Sequence, residues 1–293
     1  MHGLPGRRGL SRCGKSNTTN RVWAIAASLA AVSAFPTTVF AVPQRTLAHE
    51  EPADERPTYH VHDTMAITIA SAPGGVELTA VASTSLRLAF EEESEGMRVV
   101  AEIVDFGGSV GNPAMGVQTL DSDDAQGEMV FLVGSRGVTE AVSGPDLSDD
   151  AGQFSLFNQL PHDLFPGLPG GAVEAGDSWS DSAVWHSSAG GMATTSTTNR
   201  AYRLVGDTMV DGRPVLEISL HAEVRISGSG SQGGLATSQS IEGIVTGRLF
   251  WDPEDRLLHY AELHRDLRGG ASMEGRPPGE IALMGPQRIT RDR

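Results

Sequence analysis

A pair of histidines on one strand-like segment is the first candidate for a metal site. His60 and His62 are two residues apart, so on a β-strand both side chains point to one face. Such a pair can supply two ligands of a zinc or copper site, which Asp or Glu would complete. His221, between Glu217 and Glu223, repeats the arrangement. The alternative is a solvated face opposite apolar neighbours. The pattern favours that alternative, and we predict no metal site.

A cluster of carboxylates could bind calcium, which prefers oxygen-rich loops. Asp121, Asp123, Asp124 and Glu128 lie close together in the sequence. Their spacing does not follow the helix–loop–helix calcium pattern, and Asp-rich turns are common on acidic proteins. We therefore interpret the cluster as a turn.

Two glycine motifs match the spelling of nucleotide-binding loops without their context. Residues 9–16 spell G-x-x-x-x-G-K-S, but this stretch lies in a basic N-terminal region and not between a strand and a helix. Gly228, Gly230 and Gly233 spell G-x-G-x-x-G, but a Ser/Thr-rich run follows them instead of a helix. We predict no cofactor, and we interpret residues 227–240 as a flexible hairpin loop.

Ser109 could be a serine nucleophile, because Gly107 and Gly111 flank it as in G-x-S-x-G. Catalysis there needs a strand-to-helix turn. A strand-like segment precedes Ser109, but Pro113 and Gly116 disfavour a helix after it. We predict no catalytic residue and no enzyme activity.

Three tryptophans could line an apolar pocket: Trp179, Trp185 and Trp251. Core or rim packing is the more common role of such residues. The ligand-binding residues remain unknown from the sequence.

The N-terminus is typical of a signal peptide, which we predict over residues 1–41. Five basic residues precede a 14-residue apolar run from Val22 to Phe35, and Val39 to Ala41 fits a cleavage site. A spanning helix needs about 20 residues. The general secretory route is favoured over the twin-arginine route. Cys13 lies upstream of the apolar run, so it cannot be a lipidated first residue of a mature lipoprotein. We expect a periplasmic or extracellular protein with no permanent membrane span.

Composition excludes several classes of function. Residues 1–41 contain five of the 22 basic residues and no acidic ones, which leaves 17 arginines, 37 acidic residues and a net charge of −20. Such a surface repels phosphate backbones, so nucleic-acid binding is disfavoured. Residues 42–293 contain no cysteine, which excludes disulfides and thiolate sites.

Period-two alternation predicts the elements that must position these residues. It runs through residues 59–69, 76–91, 98–106, 194–205, 217–226, 241–251 and 257–267, with an optional edge strand at 280–284. Residues 129–133 and 138–142 are predicted to form a hairpin across residues 134–137. The spacing of Phe154, Phe157, Leu160 and Leu164 predicts a short helix ended by Pro161 or Pro166. The fold class is therefore mainly β: a curved antiparallel sheet or half-barrel with one or two short helices.

The predicted domain organisation is simple. Residues 42–58 contain three prolines and several charges and are interpreted as a flexible tether. Residues 59–293 form a single antiparallel β domain. A faint repeat allows two similar halves, 59–150 and 151–293, and that alternative stays open.

Five segments have a characteristic order: Phe165-Pro166-Gly167-Leu168-Pro169, Val173 to Trp179, Tyr202 to Gly206, Asp211-Gly212 and Gly247 to Asp252. This order resembles a family of uncharacterised exported bacterial domains with a G-D-S-W element. The family is similar in layout to the LolA-type lipoprotein carriers, which are antiparallel half-barrels with helices over an apolar mouth. The resemblance implies no catalytic residue.

Three functions remain open at this point. Favoured is an exported non-enzymatic protein that binds an apolar ligand, a lipid or a partner protein on the concave face of its sheet. The alternatives are a structural cell-envelope protein without a ligand and a metal-dependent or serine hydrolase, which would use His60 and His62 or Ser109. The expected partner is an apolar ligand or an envelope protein.

Overall fold

Alternating side chains build long β-strands in the computed structural model, which describes residues 44–52, 56–70, 75–112, 116–148, 151–152, 157–189, 191–232 and 234–292. The strands in chain order are β1 (Arg45–Thr46), β2 (Thr58–Ala70), β3 (Val76–Glu93), β4 (Gly96–Asn112), β5 (Gly116–Leu120), β6 (Ala125–Gln126), β7 (Glu128–Gly134), β8 (Gly137–Ser143), β9 (Asp146–Leu147), β10 (Ala172–Val173), β11 (Ser178–Ala189), β12 (Met192–Val210), β13 (Arg213–Gln232), β14 (Leu235–Asp252), β15 (Leu257–Met273) and β16 (Gly279–Arg291). A short helix, α1, spans Leu160–Leu164.

Twelve of these strands form one antiparallel sheet. Its continuous path is β11-β12-β13-β14-β15-β16-β2-β3-β4-β7-β8, and β5 pairs onto β4. The sheet curls into a half-barrel, which confirms the predicted fold class. Two small two-stranded pairs, β1 with β10 and β6 with β9, lie outside this sheet.

The C-terminal strand is central, although the sequence predicted an optional edge strand there. β16 pairs with β15 on one side and with β2 on the other. It therefore joins β15 to β2, so that strands from early and late in the sequence belong to one sheet. The sequence concealed this role because pairing between β16 and β2 spans most of the chain, and periodicity reports only local structure.

Inward-facing side chains form one core on the concave side of the sheet. Tyr59, Leu86, Leu204, Ile218 and Trp251 are among the largest fully buried side chains, and each comes from a different strand. The core is covered by residues 151–152 and 157–170, which we name the covering segment; α1 belongs to it. Phe165 and Leu168 of this segment are also fully buried.

Pro161 lies near the start of α1, although the sequence predicted it as one of two prolines that could end the helix. Pro161 lies in the first turn, where its missing N–H leaves no intrahelical hydrogen bond unmade. Pro166 follows Leu164, the last residue of the helix. Residues 153–156, including Phe154, lie outside the described residues.

The predicted Gly/Ser loop over residues 227–240 is wrong. β13 and β14 stay paired from Ser227 opposite Ser240 to Gln232 opposite Leu235, so the hairpin is extended almost to its tip. Gly230 permits a close approach, since a Cβ there would lie 2.7 Å from the Cα of Met192 on β12. Small residues therefore serve tight strand pairing here.

The N-terminal segment is held against the sheet, whereas the sequence predicted a flexible tether over residues 42–58. β1 pairs with β10, and Leu47 and His49 are 3% exposed. The prolines and charges around these two residues led to the prediction of a tether, although both side chains are buried. The predicted signal peptide, residues 1–41, lies outside the described residues.

Residues 42–293 form one compact unit. In the described part of the chain, no helix has the length and apolar character needed to cross a bilayer.

Candidate functional site

A small apolar cavity lies on the concave side, where the covering segment meets β2, β3 and β4. Its volume is ≈ 50 Å³. The lining includes Val61, Ala80, Ala82 and Phe106 from the sheet, and Phe157 and Leu160 from the covering segment. Most residues that line the cavity from these strands are aliphatic or aromatic, and Asp63, Thr84 and Ser109 are the polar exceptions.

The part of the covering segment that follows α1 is fixed by hydrogen bonds from three directions. The N–H of Gly167 donates to the Tyr202 hydroxyl at 3.1 Å, and Trp179 Nε1 donates to the Gly167 carbonyl at 2.8 Å. The Leu168 N–H donates to the Arg136 carbonyl at 2.9 Å. These contacts attach the segment to β11, to β12 and to the turn between β7 and β8.

The G-D-S-W element is explained by the same contacts. Trp179 stacks on Tyr202 with ring centroids 5.6 Å apart, so it anchors β11 to its neighbour. Gly176 adopts a φ of 101°, as a tight turn requires. Asp177 accepts a hydrogen bond from the Glu174 N–H at 2.9 Å. This bond runs three residues backward along the chain and closes the turn.

His49 ties the N-terminal segment to the covering segment. Its Nε2 donates to the Pro166 carbonyl at 2.8 Å, and its ring contacts those of Phe165 and Trp251. Burial lowers the pKa of His49 to about 4, against a smaller opposing effect of the hydrogen bond. Nδ1 is buried and has no hydrogen-bond partner, so a second proton on the ring would have no acceptor.

A second feature of the interior is a set of charged side chains at inward-facing positions, which we name the polar row. Arg200 on β12 is opposite Ala222 on β13, Ala222 is opposite Val245 on β14, and Val245 is opposite Arg265 on β15. The two arginines thus lie on one line across four strands, with small or aliphatic residues between them. Both are nearly inaccessible, at 5% and 3% exposure.

Each arginine of the polar row has one carboxylate partner. Arg265 Nη1 donates to Asp63 Oδ2 at 2.8 Å, and Arg200 Nη1 donates to Asp181 Oδ2 at 3.5 Å. Burial raises the pKa of Asp63 and of Asp181, and the neighbouring arginine opposes this in both cases. The shorter pair is the better hydrogen bond of the two.

Asp163 of α1 is a further buried carboxylate, and it interacts electrostatically with the polar row. Its carboxylate accepts hydrogen bonds from Gln159 Nε2 at 3.1 and 3.2 Å. Burial raises its pKa, and the charges of Arg265 and then Arg200 act in the opposite direction. Asp163 therefore lies within the electrostatic influence of both arginines.

The histidines of the sequence hypothesis do not form a metal site with their neighbours. His60 and His62 share the exposed outer face of β2, and His221 is exposed on β13. His60 contacts Ser85 and Asp292 through its two ring nitrogens, each at 2.9 Å. Across the described ranges, no group of three His, Cys, Asp or Glu side chains is placed to hold a metal ion.

Ser109 lies within β4, paired with Val81 and Thr119, and not on a strand-to-helix turn. It lines the cavity on the concave side, whereas His60 and His62 lie on the outer face. The structure therefore does not bring together the residues on which the hydrolase hypothesis depends.

The Asp-rich loop is closed on itself. Asp121 accepts a hydrogen bond from the Asp123 N–H, and Asp124 accepts bonds from the Asp121 N–H and from the Ser148 hydroxyl. The bond from Ser148 and then that from the Asp121 N–H hold the pKa of Asp124 below its usual value. These carboxylates serve the turn, as the sequence interpretation proposed.

The tryptophans do not share one pocket. Trp251 is fully buried in the core, while Trp179 and Trp185 are half-buried on β11. Trp185 stacks on His162 of α1, with ring centroids 5.6 Å apart. Gly228 and Gly230 of the glycine motif lie within β13, Gly233 is outside the described residues, and residues 9–16 are likewise outside them.

Sequence reasoning missed the polar row. Asp63 interrupts the inward-facing series Tyr59, Val61, Met65 and Ile67, and Arg265 interrupts the series on β15 in the same way. A charged residue at an inward position of a strict alternation is the signal that could have identified them, because such residues are almost never buried without a partner.

Comparison with known proteins identifies no relative. No protein-family model matches the chain, and a search of curated proteins finds no match. Solved structures show only distant similarity, and three of them are given as examples. One is described as "Structure of DynF from the Dynemicin Biosynthesis Pathway of Micromonospora chersina"; it is 10% identical over 88% of this chain and 89% of its own, with a TM-score of 0.25.

The other two are "Crystal structure of Acinetobacter baumannii OccAB2" and "Crystal Structure of Pseudomonas aeruginosa OccK11 (OpdR)". The first is 6% identical over 84% of this chain and 100% of its own, with a TM-score of 0.20. The second is 10% identical over 83% of this chain and 97% of its own, with a TM-score of 0.17. Similarities this low do not bear on function.

Proposed function

We propose that this chain is an exported, non-enzymatic binding protein that holds an apolar ligand, such as a lipid, on the concave face of its half-barrel sheet. Its place of action in this proposal is the periplasm or the extracellular space, as the predicted signal peptide suggests. The observation that supports the proposal is the apolar cavity between the covering segment and β2 to β4. Ligand sites are typically concave and mostly apolar in this way.

Binding of a whole lipid chain requires part of the covering segment to move. The cavity holds ≈ 50 Å³, whereas pockets for small molecules span about 300–1,000 Å³. Phe157 and Leu160 line the cavity from the covering segment, so their displacement would lengthen it. Gly167 and Leu168, which are held by the sheet, would serve as the fixed end of that movement.

Blocking the cavity tests the proposal. We expect Ala80→Phe to lower the affinity for Nile red, a neutral apolar dye, by about tenfold or more, because the ring would fill the space the dye must enter. Ala66→Phe is the matched control, since Ala66 lies on the exposed face of the neighbouring strand. It should leave the affinity within about twofold. Fluorescence titration measures both.

Equal affinities of the two variants for the dye would contradict a ligand site in this cavity. So would a wild-type protein that does not bind the dye at all. Thermal unfolding of each variant, followed by circular dichroism, verifies that the comparison is made between folded proteins.

A structural cell-envelope role without a ligand is the second candidate. The observation that favours it is the packing of the covering segment, in which Leu160, Leu164, Phe165 and Leu168 are buried in the core. In that case the covering segment is a permanent part of the core. Native protein without any bound apolar molecule, together with absent dye binding, would favour this candidate over the first.

A further inference from the structure

We infer that the ligand of the concave face carries an anionic head group, a carboxylate or a phosphate, which is bound by the guanidinium of Arg265 in the polar row. This inference rests on the proposed function and adds the chemical class of the ligand. The ligand is thus a single-chain anionic amphiphile, with its apolar chain directed into the cavity beside β2 to β4.

The free edge of Arg265 is the first observation that leads to this inference. Nη1 binds Asp63, while Nε and Nη2 are buried and have no hydrogen-bond partner. Nε and Nη2 form one side of the planar guanidinium, the fork that binds both oxygens of a carboxylate or phosphate at once. Leaving such donors buried and unpaired is costly, so the site favours an acceptor that carries charge.

Further unpartnered donors lie on the inward face of β12. Arg200 Nη2 and the hydroxyls of Ser196 and Thr198 are buried without a partner. The three residues are spaced by two along one strand, so their side chains point to the same face. Two arginines and two hydroxyls thus turn toward the interior from β15 and β12, and all four residues are at most 5% exposed.

The polar row adjoins the apolar cavity. Asp63, the partner of Arg265, and Gln287, which is opposite Asp63 on β16, both belong to the cavity lining. The rest of that lining is largely aliphatic and aromatic. The cavity lining therefore combines apolar side chains with a carboxylate that is bonded to Arg265, a combination that suits a molecule with a charged head and an apolar chain.

The covering segment presents the same two features as such a ligand, namely apolar side chains and a carboxylate. Phe157 and Leu160 occupy the apolar side, and Asp163 presents a carboxylate within the electrostatic influence of both arginines. Asp163 does not pair directly with either arginine, because Gln159 holds its carboxylate. A ligand anion can therefore bind the free Nε and Nη2 of Arg265. It would compete with Asp163 of α1 for the positive charge of the arginines.

Replacement of Arg265 by lysine tests the head-group site. Arg265→Lys keeps the positive charge and a donor for Asp63 but removes the fork. Equilibrium dialysis of the full chain should show hexadecanoate or hexadecyl phosphate binding about tenfold tighter than hexadecan-1-ol. The variant should bind both anions about tenfold more weakly and the alcohol unchanged. The anion bound more tightly identifies the head group.

A matched control and a variant of opposite sign complete the test. Arg248→Lys changes an arginine on the outer face, whose side chain is 56% exposed and paired with Glu262. It should bind all three probes like the wild type. Asp163→Asn should raise the affinity for the anions several-fold, since it removes a competing negative charge, and a merely structural role of Asp163 would not produce a gain.

Two results would overturn the inference. If the alcohol binds as tightly as both anions, or if Arg265→Lys behaves like Arg248→Lys, the head-group site is wrong while apolar binding stands. If none of the three probes binds the wild type, the proposed function fails along with it.

Discussion

Single buried polar groups set much of the chemistry of this interior. His49 is the clearest case, because one ring nitrogen is bonded to the covering segment and the other has no partner. Its pKa of about 4 lies below the ordinary value of 6.5, so the unfolded chain binds more protons than the folded one between these values. His49 therefore stabilises the fold above about pH 6.5, and this contribution is lost as the pH falls toward 4.

This predicts a pH-dependent difference between the wild type and His49→Gln, whose amide can still donate to the Pro166 carbonyl. The difference between 6.5 and about 4 corresponds to about 3 kcal/mol. On acidification from about pH 7 to about pH 4.5, we expect the wild type to lose more stability than the variant, by up to that amount. Urea unfolding at the two pH values measures it.

Other buried groups also contribute to the pH dependence of stability, so the comparison between variants is essential. The pKa of His162 is lowered to about 4 by burial, while the pKa values of Asp63, Asp163 and Asp181 are raised by burial and act in the opposite sense. His264→Gln, on the exposed face of β15, is the control. Identical pH dependence of the wild type and His49→Gln would contradict the assignment to His49.

At the level of single residues, the sequence predicted the environment of outward-facing groups better than that of buried ones. The exposed face of His60 and His62 follows directly from alternation with apolar neighbours. The pairing of Arg265 with Asp63 joins residues 202 positions apart, and no local pattern contains that information.

Among the elements, glycines at inward positions allow the sheet to curl. Gly243 on β14 and Gly269 on β15 are two of them. A Cβ at Gly243 would lie 2.7 Å from the Cα of Leu267, and one at Gly269 would lie 2.5 Å from the Cα of Ile241. The neighbouring backbone occupies the space a side chain would need, which is typical of a sheet that bends sharply.

Gly243→Ala should therefore destabilise the protein by about 1–3 kcal/mol or more, because backbone atoms of β15 cannot yield without distorting the sheet. Gly144→Ala is the control, since nothing lies within 4 Å of a Cβ at that position. It should change the free energy of unfolding by at most about 0.5 kcal/mol. Chemical denaturation measures both, and equal stabilities would refute the steric account.

The elements themselves were largely predictable, since long period-two alternation identifies half-buried strands from the sequence alone. The pairing order was not. β16 is inserted between β15 and β2, and the covering segment lies over the concave face, because burial of apolar area selects these arrangements across long sequence separations. The proposed duplication of residues 59–150 and 151–293 stays a prediction.

For the whole molecule, the half-barrel combines an apolar cavity, a polar row and a covering segment on one face. Residues 42–293 have a net charge of −20, while the interior contains arginines with unpartnered donors. The acidic balance favours solubility. The unpartnered donors of the interior support the proposal of an anionic amphiphile as the ligand.

The most direct test of the central claim is the content of apolar molecules in the protein isolated from its own host. Organic extraction followed by mass spectrometry would identify and quantify them. We expect an amphiphile at about one molecule per chain in the wild type and in Ala66→Phe, and a strong reduction in Ala80→Phe, since the ring closes the cavity. A wild-type protein without any such molecule, or equal amounts in both variants, would contradict binding on the concave face.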